Sequence, residues 1–198
     1  MIMDEKILSH AVNAIQQGKL IVYPTDTLYG LGASIFKQDA ITSIFQIKGR
    51  PFSLPLPIAV AHLKMLSEYV ELTSLAQQLA RKFLPGKLTL VCKKKPVITD
   101  LITSGNDTVA VRIPQDEIAL HLINKTGPII ATSANIHGQK TPNSISEIRK
   151  LFKPEDIEVY VDGGPRIGAP STIVDVTSHQ PRILREGSIS KERIRLNK

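Results

Sequence analysis

The apolar positions at the start of the chain follow a helical period and then become a continuous apolar run. They recur at Ile7, Leu8, Ala11, Val12 and Ile15. This spacing predicts an amphipathic helix over residues 4–17 that ends at Gly18. The segment KLIVY that follows is typical of a buried strand.

The same period predicts further helices along the chain. One has Asp39 as its N-cap and ends near KGRP, because Gly49 and Pro51 both oppose continuation of a helix. The others span residues 63–69, 75–83, 116–125 and 144–152.

Short runs rich in β-branched residues, separated by Gly, Pro, Asn or Asp, predict seven or eight strands. After KLIVY they are PIAV, LTLVCK, TVAVRI, PIIATS, IEVYV, STIVDV and RILRE. Helices and strands do not alternate strictly. The predicted fold class is therefore α/β, a twisted mixed parallel and antiparallel sheet with flanking helices. We expect the polar tail over residues 188–198 to fray.

Composition fits one globular domain over residues 1–198, with 42% hydrophobic and 22% charged residues. No apolar run approaches the roughly 20 residues of a membrane span, and the N-terminus MIMDEKILSH lacks the basic-then-apolar order of a secretion signal. We therefore expect a cytoplasmic protein without a membrane partner.

A single cysteine, Cys92, excludes an intramolecular disulfide and offers no thiolate cluster for zinc.

The net charge of +7 favours anionic partners such as nucleotides, pyrophosphate and RNA. A basic surface that only maintains solubility is the alternative, above all for Lys93, Lys94 and Lys95.

Several catalytic motifs are absent: GxxxxGK[ST], a complete GxGxxG and GxSxG do not occur. The five histidines show no helical i, i+4 pair, so no protein metal site is predicted.

Cations and hydroxyls gather instead at predicted strand and helix ends. Lys48 and Arg50 in KGRP suit a polyphosphate, although a solvated helix end is an equal alternative. Arg112 lies within the apolar run VAVRIP, where a buried guanidinium needs a structural acid or a substrate carboxylate as its partner. TSAN, STIVD and ILREG add hydroxyls, an amide and a further arginine. Together these segments predict one anionic, hydroxyl-bearing ligand.

The motifs YPTDTLYGLG, KGRP followed by PLP, PGKLTLV, TVAVRIP, TSAN, TP, STIVD and ILREG resemble, in order and spacing, the YrdC-like threonylcarbamoyl-AMP synthases. The resemblance covers residues 20–187 and implies a single α/β domain around a large, positively charged cavity. It implies condensation of ATP, L-threonine and bicarbonate to L-threonylcarbamoyl-AMP, with release of pyrophosphate. The product then serves a TsaD-type transferase that modifies the adenosine beside the anticodon in tRNA.

The resemblance also implies roles for individual residues. The predicted ATP ligands are Lys48, Arg50, Thr108, Ser133, Asn135, Thr141 and Arg185. The predicted threonine ligands are Thr27, Arg112, Ala131 and Ser171. Lys48 and Arg50 are the predicted catalytic pair, stabilising charge together with the Mg²⁺ that accompanies ATP.

Two positions depart from the family pattern. Ala59 stands where these synthases often have a histidine, and Leu54 stands where many have an asparagine. His62 does not replace the histidine, because it is predicted to begin the next helix. A family branch acting on another substrate is therefore one alternative. An RNA-binding module contacting tRNA or double-stranded RNA is another, although aromatic residues for base stacking are only 5% of the chain.

Overall fold

The structure is a computed structural model that describes residues 5–194. Within this range there are eight helices. They are α1 (Glu5–Gln16), α2 (Gln38–Lys48), α3 (Leu63–Tyr69), α4 (Ser74–Phe83), α5 (Asp100–Thr103), α6 (Glu117–Thr126), α7 (Ile145–Ile148) and α8 (Lys191–Ile194). No helix in this range is both long and apolar enough to cross a bilayer.

Ten strands in the described range form two mixed sheets. The strands are β1 (Ile21–Tyr23), β2 (Gly30–Gly32), β3 (Ile58–Ala59), β4 (Leu88–Lys93), β5 (Thr108–Arg112), β6 (Ile129–Ile130), β7 (Thr132–Ser133), β8 (Val159–Tyr160), β9 (Thr172–Asp175) and β10 (Arg182–Arg185). Their orders are β7-β2-β1-β8 and β10-β9-β4-β5-β3-β6. Parallel and antiparallel pairs occur in both sheets, which confirms the predicted fold class.

The strand β2 was not predicted, and it forms a hairpin with β1. Tyr23 pairs directly with Gly30, and Ile21 pairs with Gly32. A Cβ at Gly30 or Gly32 would lie within 3 Å of the Tyr23 ring. The glycines of GLG are therefore required for the close approach of this ring, and not for an unusual backbone angle.

The core is built from the faces that the hydrophobic period predicts. Helix α1 buries Leu8, Ala11, Ala14 and Ile15 and packs against α6. The predicted helix start at residue 4 lies outside the described residues. Cys92 is buried, as expected for a small core residue, and burial raises its pKa to about 12.

Several predicted boundaries are wrong. The N-cap of α2 is Lys37, and Asp39 lies inside the first turn. The left-handed Gly49 ends α2 as predicted. The predicted strand PIIATS is divided between β6 and β7, and the helix predicted over residues 144–152 is reduced to α7.

The C-terminal tail does not fray where the structure describes it. Residues 191–194 form α8, and Ile189 and Ile194 are buried. These two apolar side chains hold the segment against the core, because burying each of them removes apolar surface from water. The rest of the predicted tail, residues 195–198, lies outside the described range.

Candidate active site

A cavity of about 390 Å³ is lined by residues of both sheets. One face of the six-stranded sheet contributes to it, because successive side chains of a strand point to opposite faces. In β4, Leu88, Leu90 and Cys92 pack in the core, whereas Thr89 and Val91 line the cavity. The volume is in the range of small-molecule sites.

Seven of the residues predicted from the sequence line this cavity. They are Thr27, Arg50, Arg112, Ala131, Ser133, Ser171 and Arg185. Four predicted residues are not part of the lining: Lys48, Thr108, Asn135 and Thr141. The seven are far apart in the sequence, so their convergence is a property of the fold.

The turn PTDT fixes one wall. The Thr25 hydroxyl donates to the Leu28 carbonyl at 2.6 Å and accepts from the backbone N–H groups of Thr27 and Leu28 at 3.2 and 3.3 Å. A threonine that closes its own turn in this way holds the backbone rigidly. The turn therefore presents the Thr27 hydroxyl to the cavity.

Arg112 connects this turn to the sheet. It ends β5, is only 7% exposed, and donates from Nη1 to Thr27 Oγ1 at 3.0 Å. Its Nη2 donates to Asp26 Oδ1 at 2.6 Å and to the Gly86 carbonyl at 3.3 Å. The anionic partner of the buried guanidinium is thus a structural acid, Asp26.

Asp26 was missed by the sequence reasoning. Its carboxylate is 8% exposed and forms the ion pair with Arg112. The available signal was an acid between two threonines directly after a buried strand, opposite an arginine that needed an anion. A pair of this kind orients the guanidinium, and breaking it leaves an uncompensated buried charge.

Lys48 lies at the end of α2, away from the cavity surface. Its ammonium donates to the carbonyls of Ser133 at 2.5 Å and Asn135 at 2.7 Å, and to Asn135 Oδ1 at 3.1 Å. Burial, and then the charge of Arg50, lower its pKa to about 7. Only Arg50 of the predicted pair lines the cavity, so a phosphate contact by Lys48 requires its ammonium to leave these oxygens.

Arg50 is held at the cavity wall by its own loop. Its Nε donates to the Leu54 carbonyl at 3.2 Å and its Nη2 to the Pro55 carbonyl at 2.8 Å. Burial lowers its pKa. The two carbonyl contacts aim the guanidinium while using only part of its donors, which leaves the remaining donors for an anion.

Arg185 and Ser171 form a further part of the lining. Arg185 Nη2 donates to the Ser171 carbonyl at 2.8 Å. The Ser171 hydroxyl is 2.8 Å from the hydroxyl of Thr89, a residue that the sequence reasoning did not select. The sequence does not identify Thr89 as a lining residue, because only the fold shows which face of the strand LTLVCK points to the cavity.

Three further predicted residues lie outside this lining: Asn135, Thr141 and Thr108. Ser133 Oγ donates to Asn135 Oδ1 at 2.6 Å, and the Asn135 amide donates to the Gln139 carbonyl. Thr141 is buried farther along the same loop. Thr108 begins β5 on the strand face that carries Arg112. Lys48, Ser133 and Asn135 therefore form one hydrogen-bonded cluster, of which only Ser133 lines the cavity.

Tyr29 was also missed, and it ties the segment after β8 to the cavity. Its hydroxyl contacts Asp162 Oδ1 at 3.1 Å and the Gly164 carbonyl at 2.7 Å, and accepts from the Gly163 N–H at 3.1 Å. At Gly168, a Cβ would lie 2.6 Å from the Thr27 carbonyl oxygen. This segment is thus packed directly against the PTDT turn.

The two departures from the family pattern lie close to the site. Ala59 is buried in β3 and pairs with Arg112 of β5. Leu54 is exposed, and its carbonyl accepts from Arg50 Nε. His62 is the N-cap of α3, where its Nδ1 accepts from the Met65 N–H at 3.0 Å, so it has the predicted structural position.

Among the residues that the structure describes, three arginines and no carboxylate line the cavity. Arg112 is already paired with Asp26, so the positive potential of the cavity stays a prediction. Among residues 5–194 no group of three or more His, Cys, Asp or Glu side chains is arranged around a common metal position.

The Sua5/YciO/YrdC family model, described as "Telomere recombination", matches residues 13–187. The chain belongs to the Sua5/YciO/YrdC family. It is 44% identical over 187 residues to the threonylcarbamoyl-AMP synthase of Pyrococcus abyssi, covering 93% of this chain and 55% of that protein. The chain thus spans about half the length of this relative.

Solved structures of the Sua5/YciO/YrdC family have the same fold. The crystal structure of P. abyssi Sua5 complexed with L-threonine superposes with a TM-score of 0.91 at 43% identity, covering 98% of this chain and 57% of that chain. E. coli YciO superposes with a TM-score of 0.89 at 26% identity, covering 96% and 94% of the two chains. The chain is therefore similar both to a longer threonine-binding protein and to one of its own length.

Proposed function

We propose that this chain is an L-threonylcarbamoyladenylate synthase, a nucleotidyltransferase that condenses L-threonine, bicarbonate and ATP and releases pyrophosphate. The observation that carries the proposal is the convergence of seven predicted ligand residues on one cavity. The similarity of this chain to P. abyssi Sua5, whose structure was solved in complex with L-threonine, supports threonine as the amino-acid substrate.

The threonine end of the cavity is assigned to Thr27, Arg112, Ala131 and Ser171. Arg112 retains Nε and part of Nη1 after its contacts with Asp26, Thr27 and Gly86. Each of these remaining N–H groups can donate to a carboxylate oxygen, because a guanidinium carries only donors. Short hydroxyl side chains nearby leave room for a small polar amino acid.

The nucleotide end is assigned to Arg50, Arg185 and Ser133, with Lys48, Asn135, Thr108 and Thr141 around them. Arg50 and Arg185 both line the cavity and would bind the phosphates. Lys48 would hold the loop of Ser133 and Asn135 through their oxygens and exchange those contacts for a phosphate when ATP binds. Mg²⁺ enters as the counter-ion of ATP.

The reaction needs no protein nucleophile. The threonine amine attacks the carbon of bicarbonate, a C–O bond breaks and water leaves with one amine proton, and a carbamate remains. If carbon dioxide derived from bicarbonate is attacked instead, the amine forms the same carbamate by losing one proton to solvent. A carbamate oxygen then attacks the α-phosphorus in line, and pyrophosphate carries the bonding electrons away. The protein contributes positioning, and its cations stabilise the charge that develops on the phosphates, effects that can each supply several kcal/mol.

The product is a mixed anhydride that reacts with an amine. In the proposed pathway a TsaD-type transferase passes its threonylcarbamoyl group to an adenosine of tRNA, in the cytoplasm. Direct contact of this chain with tRNA or double-stranded RNA is a separate proposal that rests only on the net charge of +7.

Incubation of the pure protein with ATP, L-threonine, bicarbonate and Mg²⁺, followed by mass spectrometry, tests the proposal. We expect the adenylate and pyrophosphate only when all substrates are present. Product with serine or carbamoyl phosphate, and none with threonine, would instead indicate a branch that acts on another substrate. Salt-sensitive RNA binding without ATP consumption would indicate an RNA-binding module.

A further inference from the structure

Tyr23 lies at the end of β1, and its ring covers the two glycines of β2. The side chain is completely buried, yet the residue is part of the cavity lining. Its hydroxyl has no hydrogen-bond partner among residues 5–194. A buried hydroxyl without a partner is costly and uncommon, so this one calls for an explanation.

The other buried tyrosine of the lining is fully bonded. The Tyr29 hydroxyl contacts Asp162, Gly163 and Gly164. The comparison shows that a buried tyrosine hydroxyl in this lining can find hydrogen-bond partners. The unsatisfied Tyr23 hydroxyl is therefore a local feature of the cavity.

Arg112 has a matching unpartnered atom. Its Nε is buried and has no acceptor within the described part of the chain. Among the charges around Tyr23, that of Arg112 has the largest influence on the phenol. The two residues line the same cavity, and each has a buried donor without a partner. The second oxygen of the carboxylate that pairs with Arg112, Asp26 Oδ2, is a third buried atom without a partner in the described range.

The unsatisfied groups of Arg112 and Tyr23 both act as donors. Arg112 Nε carries a hydrogen and cannot accept. Burial raises the pKa of Tyr23, so its hydroxyl keeps its proton at neutral pH. Two donors in one cavity favour an oxygen acceptor, best an anionic one. An ammonium group would satisfy only Asp26 Oδ2, and a methyl group would satisfy none of the three atoms.

We propose that the Tyr23 hydroxyl and Arg112 Nε donate to the carboxylate of the amino-acid substrate, which makes Tyr23 a substrate-positioning residue. This inference rests on the proposed function, because it requires a bound amino acid. Tyr23 then selects for a free α-carboxylate, and the two glycines opposite it are needed because they leave space for its ring.

The test is Tyr23→Phe, which removes only the hydroxyl. Isothermal titration calorimetry measures binding of L-threonine and of L-valine, which keeps the carboxylate and replaces the side-chain hydroxyl with a methyl group. We expect Tyr23→Phe to bind both ligands about tenfold or more weakly than wild type. Tyr160→Phe is the matched control, because Tyr160 is not part of the cavity lining, and its affinities should equal those of wild type.

Each other outcome has a definite meaning. Unchanged affinity of Tyr23→Phe overturns the inference while leaving the proposed function intact, and a loss confined to threonine assigns the hydroxyl to the substrate side chain instead. A lower melting temperature with unchanged affinity would mean that Tyr23 donates to Asp26. If the wild-type protein binds neither ligand, with or without ATP, the proposed function itself fails.

Discussion

Replacing Asp26 with alanine leaves the guanidinium of Arg112 buried without an anionic partner. Both side chains are only 8% exposed, so solvent screens the pair weakly. Removing one partner of such a pair costs about 3–5 kcal/mol. Because Thr27 Oγ1 and the Gly86 carbonyl still accept from Arg112, we expect the lower end, about 3 kcal/mol, which lowers the melting temperature by about 6–12 °C.

Urea denaturation at pH 7.5 measures this loss, with Asp100→Ala as the matched control. Asp100 pairs with Lys94 but is 81% exposed, so its removal should cost at most about 1 kcal/mol. The double variant Asp26→Ala with Arg112→Met should be more stable than the sum of the two single losses indicates. If Asp26→Ala costs no more than Asp100→Ala, burial of Arg112 does not depend on Asp26.

Three further outcomes follow from the site. Burial lowers the pKa of Lys48 in the folded state to about 7, so between pH 7 and 9 the unfolded state binds the extra proton. The free energy of unfolding of the wild type should therefore rise by about 1 kcal/mol per pH unit in this window, and Lys48→Met should abolish the rise. Urea denaturation at each pH checks it, and identical pH profiles would contradict it. Gly32→Ala should cost about 1–3 kcal/mol, because its Cβ would lie 2.8 Å from the Tyr23 ring; an unchanged melting temperature would rule this out. Arg185→Lys should raise the KM for ATP about tenfold or more in a pyrophosphate-release assay, because lysine cannot replace the guanidinium contacts with Ser171; an unchanged KM would remove Arg185 from the nucleotide site.

Local patterns were sufficient where one physical signal dominated. The helical period of α1 and the β-branched run of β4 both predict the observed elements, because a long periodic pattern leaves few competing structures. The strand β2 was missed because Gly-Leu-Gly has low strand propensity, and its place in the sheet depends on Tyr23 across the hairpin. The polar composition of the C-terminal tail predicts fraying, yet Ile194 in this segment is buried.

The order of residues shows which chemical groups are available: hydroxyls and glycines after a strand, cations at element ends, and one guanidinium in an apolar run. The fold is needed to show which of them share a cavity, that Asp26 neutralises Arg112, and that Lys48 faces carbonyl oxygens. The physical reason is that strand side chains alternate between two faces and buried polar groups take partners from distant segments. Both depend on register and on long-range packing, which local sequence does not encode.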